Sequence, residues 1–358
     1  MTAYTPEYGL YYNSLDQTAN CEIESVTIYG GRYDTVTQPT PRVATFQITP
    51  LGSFTAPNLG DEIYLNVLGF YGYPIFYGFV TDVTFSYRNF GNGNGIPTFQ
   101  VTATAHIATL DWNTCTPSVT YSLDYAGAQI LAMMSDWQQG NRGTVTYNST
   151  TMPQTGGATL DAVTPTDTDN LGDVIRYTAS SAGGVFYERA NGDVYYDRRA
   201  DRNSRSAFTL SASDIDSGVS FTKSITAIGN SITVARTGTD ATASDSTSIS
   251  KFGKRDGIRD TRLHVLSEAQ TIANSFIAGF KSPVWRPDVI SCNLSNPDMT
   301  NTTRANLLDV FCGSKVTIPI PSEIGGGTGT YFVENFMWTL GVGTLTVTLG
   351  LAPTNDSI

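Results

Sequence analysis

Two stretches of this chain 253 residues apart carry the same alternation of apolar residues, and that repeat constrains the fold more than any other feature. Gly60 falls on Gly313, Ile63 on Val316, Leu65 on Ile318 and Val67 on Ile320. Side chains of a strand point alternately to opposite faces, so the displacement preserves the inward set. At the same offset Phe79 and Val80 match Phe332 and Val333, Val83 matches Phe336 and Phe85 matches Trp338. With an offset of 246, Pro41, Val43, Ala44 and Ile48 match Pro287, Val289, Ile290 and Leu294, and Gln100 to Thr102 match Thr346 to Thr348. Four strands keep one order with length changes in loops, which predicts a duplicated β domain. The period is far too long for a solenoid.

Between the copies the pattern changes. Ala126, Ile130, Met133 and Trp137 recur at helical spacing, as do Leu171, Val174, Ile175 and Thr178, with Asp169 placed to cap the second helix and Gly183-Gly184 to stop it. Val185 to Tyr196 reads as a hairpin around Asn191-Gly192, a pair suited to a type I′ turn. The stretch Thr237 to Ser250 reads as a polar loop, and Val265, Ala269, Ile272 and Phe276 mark one more helix near 263–280. The expected fold class is therefore mainly β with a smaller α+β part. Two similar antiparallel β-barrel domains, 21–112 and 221–353, flank a central α+β domain, 113–220, with an N-terminal arm, 1–20, and a tail, 354–358. The second barrel carries the helix near 263–280 as an insertion.

Charge narrows the function. The 358 residues have a formal net charge of -11, and counting along the chain places -6 in residues 1–112, -5 in 113–220 and zero in 221–358. All five lysines lie in the last part. A lysine-free acidic first half repels phosphate, so sequence-specific nucleic acid recognition is not expected. No run of 18 apolar residues is present to span a membrane, and the start lacks a signal-peptide pattern, so folding in a cytoplasm is expected. Cys21, Cys115, Cys292 and Cys312 are far apart with no Cys-x-x-Cys pair, which reads as free buried thiols and no zinc site.

Residues for catalysis are scarce. His106 and His264 are the only histidines, and neither sits in a nucleophile elbow or a His-Glu-x-x-His motif; both read as structural. The glycine-rich stretches 91–95 and 325–327 precede strands and lack the phosphate-binding lysine. Asp214 with Asp216, and Asp167 with Asp169, are read as turn and capping residues in preference to calcium ligands. No catalytic, cofactor or metal residue is assigned. Two surfaces remain as candidates. Lys251, Lys254, Arg255, Arg259 and Arg262 form the one basic run, a docking surface for an acidic neighbour. The aromatic stretch Phe70 to Tyr77, with Tyr71, Tyr73 and Phe76, is a candidate interface or glycan-contact loop.

The whole layout resembles the hub-type minor tail proteins of tailed bacteriophages and, more distantly, the baseplate hubs of contractile phages and related injection machines. The residues carrying the resemblance run from about Ile23 to Pro353. They include Asn58 to Leu65, Phe76 to Val83, Phe99 to Ala105, Leu171 to Tyr177, Gly184 to Glu188, Gly192 to Tyr196, Ile228 to Val234, Trp285 to Pro287 and Tyr331 to Asn335. The resemblance implies a non-enzymatic virion component at the tail tip. In such hubs two similar barrels per chain, in a homotrimer, make a six-part ring that joins the tail tube to the tip. The implied partners are the chain itself, a distal tail or tail tube protein, a tape measure protein and tail-tip or fibre proteins. A receptor- or glycan-binding module, a secreted glycan-degrading enzyme, and the six-fold distal tail ring protein are the alternatives.

Overall fold

The computed structural model describes residues 5–33, 37–68, 72–88, 95–116, 119–138, 145–216 and 218–354. Its first part contains β1 (Glu7–Tyr12), β2 (Leu15–Asp16), β3 (Cys21–Gly31), β4 (Thr40–Pro50), β5 (Glu62–Leu68), β6 (Tyr73–Arg88) and β7 (Ile96–Thr104). The middle contains β8 (Asp124–Tyr125), α1 (Ala126–Gln138), β9 (Thr159–Leu160), α2 (Leu171–Ser181), β10 (Val185–Glu188), β11 (Val194–Asp197), α3 (Arg199–Ser204) and β12 (Ala207–Thr209). The last part begins with β13 (Phe221–Thr222), β14 (Ser231–Ala235), β15 (Ala241–Ser244), α4 (Ser246–Phe252), β16 (Asp256–Asp260) and α5 (Leu266–Phe280). It continues with β17 (Arg286–Pro287), β18 (Val289–Asn293), α6 (Asn301–Leu308), β19 (Lys315–Pro319), β20 (Thr328–Gly341) and β21 (Thr344–Pro353).

The repeat is visible in the hydrogen-bonded registers. Glu62 faces Phe79 in the β5–β6 ladder and Lys315 faces Phe332 in β19–β20, each pair displaced by 253. The bulges between Val80 and Asp82 and between Val333 and Asn335 coincide under the same shift. Val43 faces Thr104 in β4–β7 and Val289 faces Gly350 in β18–β21, displaced by 246. Against β20, however, Phe332 faces Ala352 where Phe79 faces Thr104, so β21 has slipped two residues relative to its counterpart. A slip of two keeps every side chain on its own face, so the core pattern survives it.

Among the described residues no sheet closes into a barrel, where a pair of barrels was expected. Among the described residues the two copies belong to one open twelve-stranded sheet, joined where β3 pairs antiparallel with β20 from Gly31–Asn335 to Ser25–Gly341. Closing the first copy would need β3 to turn its outer edge back on its own strands, and that edge is used by β20. One apolar core serves both copies: Val26, Ile28, Phe46, Leu65 and Val67 pack in one cluster with Val316, Ile318, Phe336, Trp338 and Val347.

A second core holds the middle. Ile130 and Met133 of α1, Ile175 of α2 and Phe186 of β10 cluster with Ile232 and Val234 of β14 and with Ile272 and Ala273 of α5. The insertion between β13 and β17 therefore packs with the central unit. Its residues Thr237 to Ser250, expected as loop, contain β15 and most of α4, whose N-cap Asp245 accepts from Ser248 N–H. Helix α2 is capped by Asn170, which accepts from Asp173 N–H, while the expected cap Asp169 accepts from Thr166 N–H. In the β10–β11 hairpin only Gly192 of the Asn-Gly pair takes positive φ, and its N–H donates to Arg189, so the turn is not type I′. The four cysteines are free and buried.

Candidate functional site

Three parts of the chain meet around a buried ionic junction. Arg32 directly follows the end of β3, Arg202 sits in α3 and Glu334 occupies the bulge of β20. A bulge adds an unpaired residue and re-aims its side chain, and here it turns a carboxylate into the interior. Glu334 Oε2 accepts from Arg32 Nε at 2.5 Å, and Oε1 accepts from Arg32 Nη2 and from Arg202 Nη2, each at 3.0 Å. The Arg32 main chain donates to Glu334 O at 2.7 Å and its carbonyl accepts from Asn335 Nδ2 at 3.1 Å. Arg202 also lies over the Phe332 ring, 4.5 Å from its centroid. Burial pushes the Glu334 carboxyl up, but the charges of Arg202 and Arg32 and their hydrogen bonds outweigh it and hold the group below its ordinary range.

Beside this triad lies a second buried carboxylate. Glu188, at the end of β10, accepts from His106 N–H at 3.2 Å and Ile107 N–H at 2.6 Å, the opening donors of the short 3-10 turn His106–Trp112. Burial pushes its carboxyl up to about 8, against the pull of the Ile107 N–H, the Arg42 charge and the His106 N–H. Burial likewise pushes Arg42 down to about 10, with Glu188 opposing. Glu188, Arg42, Tyr187, Cys312 and Phe336 line one narrow cavity between the two sheet halves and the middle unit. Next to it Arg205 donates to Asp197 at 2.5 Å and to Tyr187 OH at 3.0 Å, and Phe311 stacks on Tyr187 at 5.4 Å.

These groups do the work of fixing three bodies against one another. Each carboxylate is engaged by guanidinium or backbone N–H groups, and burial pushes the neighbouring Cys312 thiol up to about 12, which keeps it protonated. The linkage has a definite sign at Glu188. A folded pKa of about 8 against the ordinary 4.5 means that the folded chain holds a proton the unfolded chain has released, so stability falls as pH rises between those values. Glu188→Gln is expected to flatten this fall by about 2–4 kcal/mol, read as urea midpoints at pH 5 and pH 8. Identical slopes in both proteins would refute a protonated Glu188.

The residues singled out from sequence are dispersed. The basic run does not form one patch, because β16 alternates and sends every second side chain inward. Lys251 and Lys254 are exposed, over Phe252 and paired with Asp256 at 3.0 Å. Arg259 donates to Ser180 O, and Arg262 to Thr178 Oγ1, each at 2.5 Å, so both serve the C-terminal turn of α2, where carbonyl groups favour cations. Arg255 is half-buried and its main chain hydrogen bonds with Asn230. Burial pushes Arg259 down to about 10.

In the aromatic stretch, Phe70 and Tyr71 lie outside the described residues and Tyr73 is half-buried. Phe76 is wholly buried against Phe46 and offers no surface for a ligand. Tyr77 instead lines an open cleft of about 270 Å³ with Tyr11, Tyr64 and Glu62. His106 is buried between Tyr77 and Phe79, and burial lowers its pKa. His264 Nδ1 lies 2.7 Å from Asp161. Asp214 accepts from Ser211 N–H as a turn cap. Among the described residues no group of three or more His, Cys, Asp or Glu could hold a metal, and no helix is long and apolar enough to cross a membrane.

Sequence reading missed the triad because its members look ordinary in the chain. One signal was present. Glu334 interrupts an apolar run, Tyr331-Phe-Val-Glu-Asn-Phe336, at the place where two successive inward residues announce a bulge.

No family model matches the chain, and no curated protein does. Solved structures share its fold over nearly its whole length. The 43 kDa tail protein of prophage MuSo2 from Shewanella oneidensis superposes with a TM-score of 0.67 at 12% identity, covering 98% of this chain and 100% of that one. A tail protein from Neisseria meningitidis MC58 gives 0.65 at 13% identity, covering 99% of each chain. The E. coli protein c3393, a type VI secretion component described as structurally similar to T4 bacteriophage tail proteins gp27 and gp5, gives 0.53 at 10% identity, covering 98% of this chain and 78% of that one.

Proposed function

We propose that this chain is a structural hub component of a bacteriophage-type tail tip, acting by assembly and not by turnover. Three copies form a pseudo-six-fold ring that joins the tail tube to the tip and lines the channel through which DNA leaves. The observation that carries the reading is the duplicated sheet register within one chain, which lets three subunits present six similar surfaces to a six-fold tube. The fold shared with proteins named as phage tail proteins supports the same assignment. Glu7, Asp16, Glu22 and Asp82 of the first half are exposed, and acidic residues facing a channel would keep the passing polymer from adhering.

The hub's neighbours in this reading are the tail tube or distal tail protein, the tape measure protein and the fibre or tip proteins. Light scattering of the purified protein is expected to give about 115 kDa, three times the 38.5 kDa chain mass. A hexamer would transfer the assignment to the distal tail ring.

A further inference from the structure

The ladder that joins the two halves of the sheet has an unused duplicate. Under the 253-residue repeat, the β20 residues that take β3 as neighbour, Asn335 to Gly341, fall on Asp82 to Arg88 of β6. β19 pairs with β20 only as far as Phe332, and β3 fills the edge beyond it. β5 likewise pairs with β6 only as far as Phe79, but among the described residues no strand fills the edge beyond that. The side chains register the difference. Trp338 and Leu340 are each 1% exposed, whereas their counterparts Phe85 and Tyr87 are 48% and 66% exposed. Two aromatic rings, 4.8 Å apart, thus stand in water at positions that are core in the other copy, beside an open strand edge.

The missing neighbour can be identified from hydrogen bonds. In the first copy β3 runs antiparallel to β4 on the side away from β7. In the second copy Gly218–Thr222 holds that place. Phe221 pairs with Pro287 and Thr222 with Arg286, Asp288 N–H donates to Ser220 O at 2.9 Å, and the line extends to Asp216 N–H on Ser291 O at 2.8 Å. Among the described residues no strand pairs with its outer side. This segment and the β6 edge lie at opposite ends of the strand path 218–222, β18, β21, β20, β3, β4, β7, β6, so each suits the other on a different molecule.

We infer that Asp82–Arg88 of one copy pairs antiparallel with Gly218–Thr222 of a second copy, repeating between chains the β3–β20 ladder within the chain. The occupant is this chain because the internal junction already displays the contact: Val26 and Ile28 of β3 lie against Leu340 and Trp338, and in the repeated register, with Thr222 in the place of Gly31, half-buried Phe221 and Val219 would bring apolar cover to Val83 and Phe85. The contact is head-to-tail, and it closes into a ring only if the rotation it repeats divides a full turn. Closure at three copies rests on the ring reading above; the pairing of edges does not.

The full-length protein tests this with two variants. Phe85→Asp/Tyr87→Asp changes only exposed side chains, and circular dichroism should match the parent while self-association weakens at least about a hundredfold. Thr84→Cys/Ser220→Cys, treated with a short bismaleimide, should give denatured species of two and three chain masses, with neither single variant doing so; the native thiols are buried. Association that survives the aspartates and yields no cross-link overturns the inference and leaves the ring standing on another face. Cross-linking with a closed assembly other than three chains upholds the inference and removes the trimeric reading. A chain that neither associates nor cross-links overturns the inference.

Discussion

Glu334→Gln should cost about 3–5 kcal/mol of folding stability, the largest loss expected from any single isosteric change in this chain. The substitution removes the one carboxylate that Arg32 and Arg202 share, and both guanidinium groups are essentially inaccessible to water. Gln can still accept one hydrogen bond, but it presents an amide donor to a second cation and supplies no charge. Arg202 already has Nε and Nη1 with no partner among the described residues, so it has nothing in reserve. The effect has a pH signature. Because the folded carboxyl is held below its ordinary value, its contribution is complete above about 4.5 and is lost as pH falls through the lower folded value. The difference between wild type and variant, measured as urea midpoints, should therefore be full at pH 7 and shrink below pH 4. A difference under about 0.5 kcal/mol at pH 7 would show that the triad contributes no net stability.

Gly31→Ala should be nearly as damaging, at about 3 kcal/mol, although it adds a single methyl group. Gly31 ends β3 with φ of +106, a conformation that side chains oppose. A Cβ there would fall on the Glu334 carbonyl oxygen and on Asn335 Cα, both backbone atoms of the facing strand that no rotamer change can clear. The ladder would have to part where the two halves of the sheet join and where Arg32 takes up its hydrogen bonds. Thermal unfolding with a hydrophobic dye present should show a lowered midpoint and dye binding before the main transition. A midpoint within about 2 °C of wild type would mean that the junction yields easily.

What the sequence disclosed follows from which interactions are local. Alternation in Ile63–Val67 and Val43–Ile48 located strands because one face of each meets the core, and helical spacing in Ala126–Trp137 located α1 for the same reason. The repeat is legible because register depends on side-chain parity, which the two-residue slip of β21 against β20 does not disturb. The union of the copies into one sheet was illegible. Edge pairing between β3 and β20 runs through backbone groups that every residue carries, so neither Thr27 nor Thr339 signals the other. α4 was missed since Ser246-Thr-Ser-Ile-Ser has weak helical propensity and depends on its Asp245 cap and on Ser248 Oγ donating to Lys281 O. Of the basic run, only the spacing of Arg255, Arg259 and Arg262 was visible; that Arg259 and Arg262 face α2 while Arg255 joins Asn230 required knowing that β16 lies beside β14.

The same junction sets the order in which the molecule can form. Arg32 and Glu334 are 302 residues apart, and the β3–β20 ladder closes a loop of nearly the whole chain. Contacts of such separation are slow, because the entropy of closing the loop is lost before the contact forms. On a ribosome, strands β3 to β7 would emerge and pair while the outer edge of β3 still waits for a partner hundreds of residues downstream. During that interval a nascent chain offers the same edge that β20 later covers, and a neighbouring chain on the same message could take β20's place. Crowded synthesis therefore carries a risk of exchanged strands, and the late arrival of Glu334, which gives Arg32 its counter-charge only in the cognate register, is the step that commits each chain to itself.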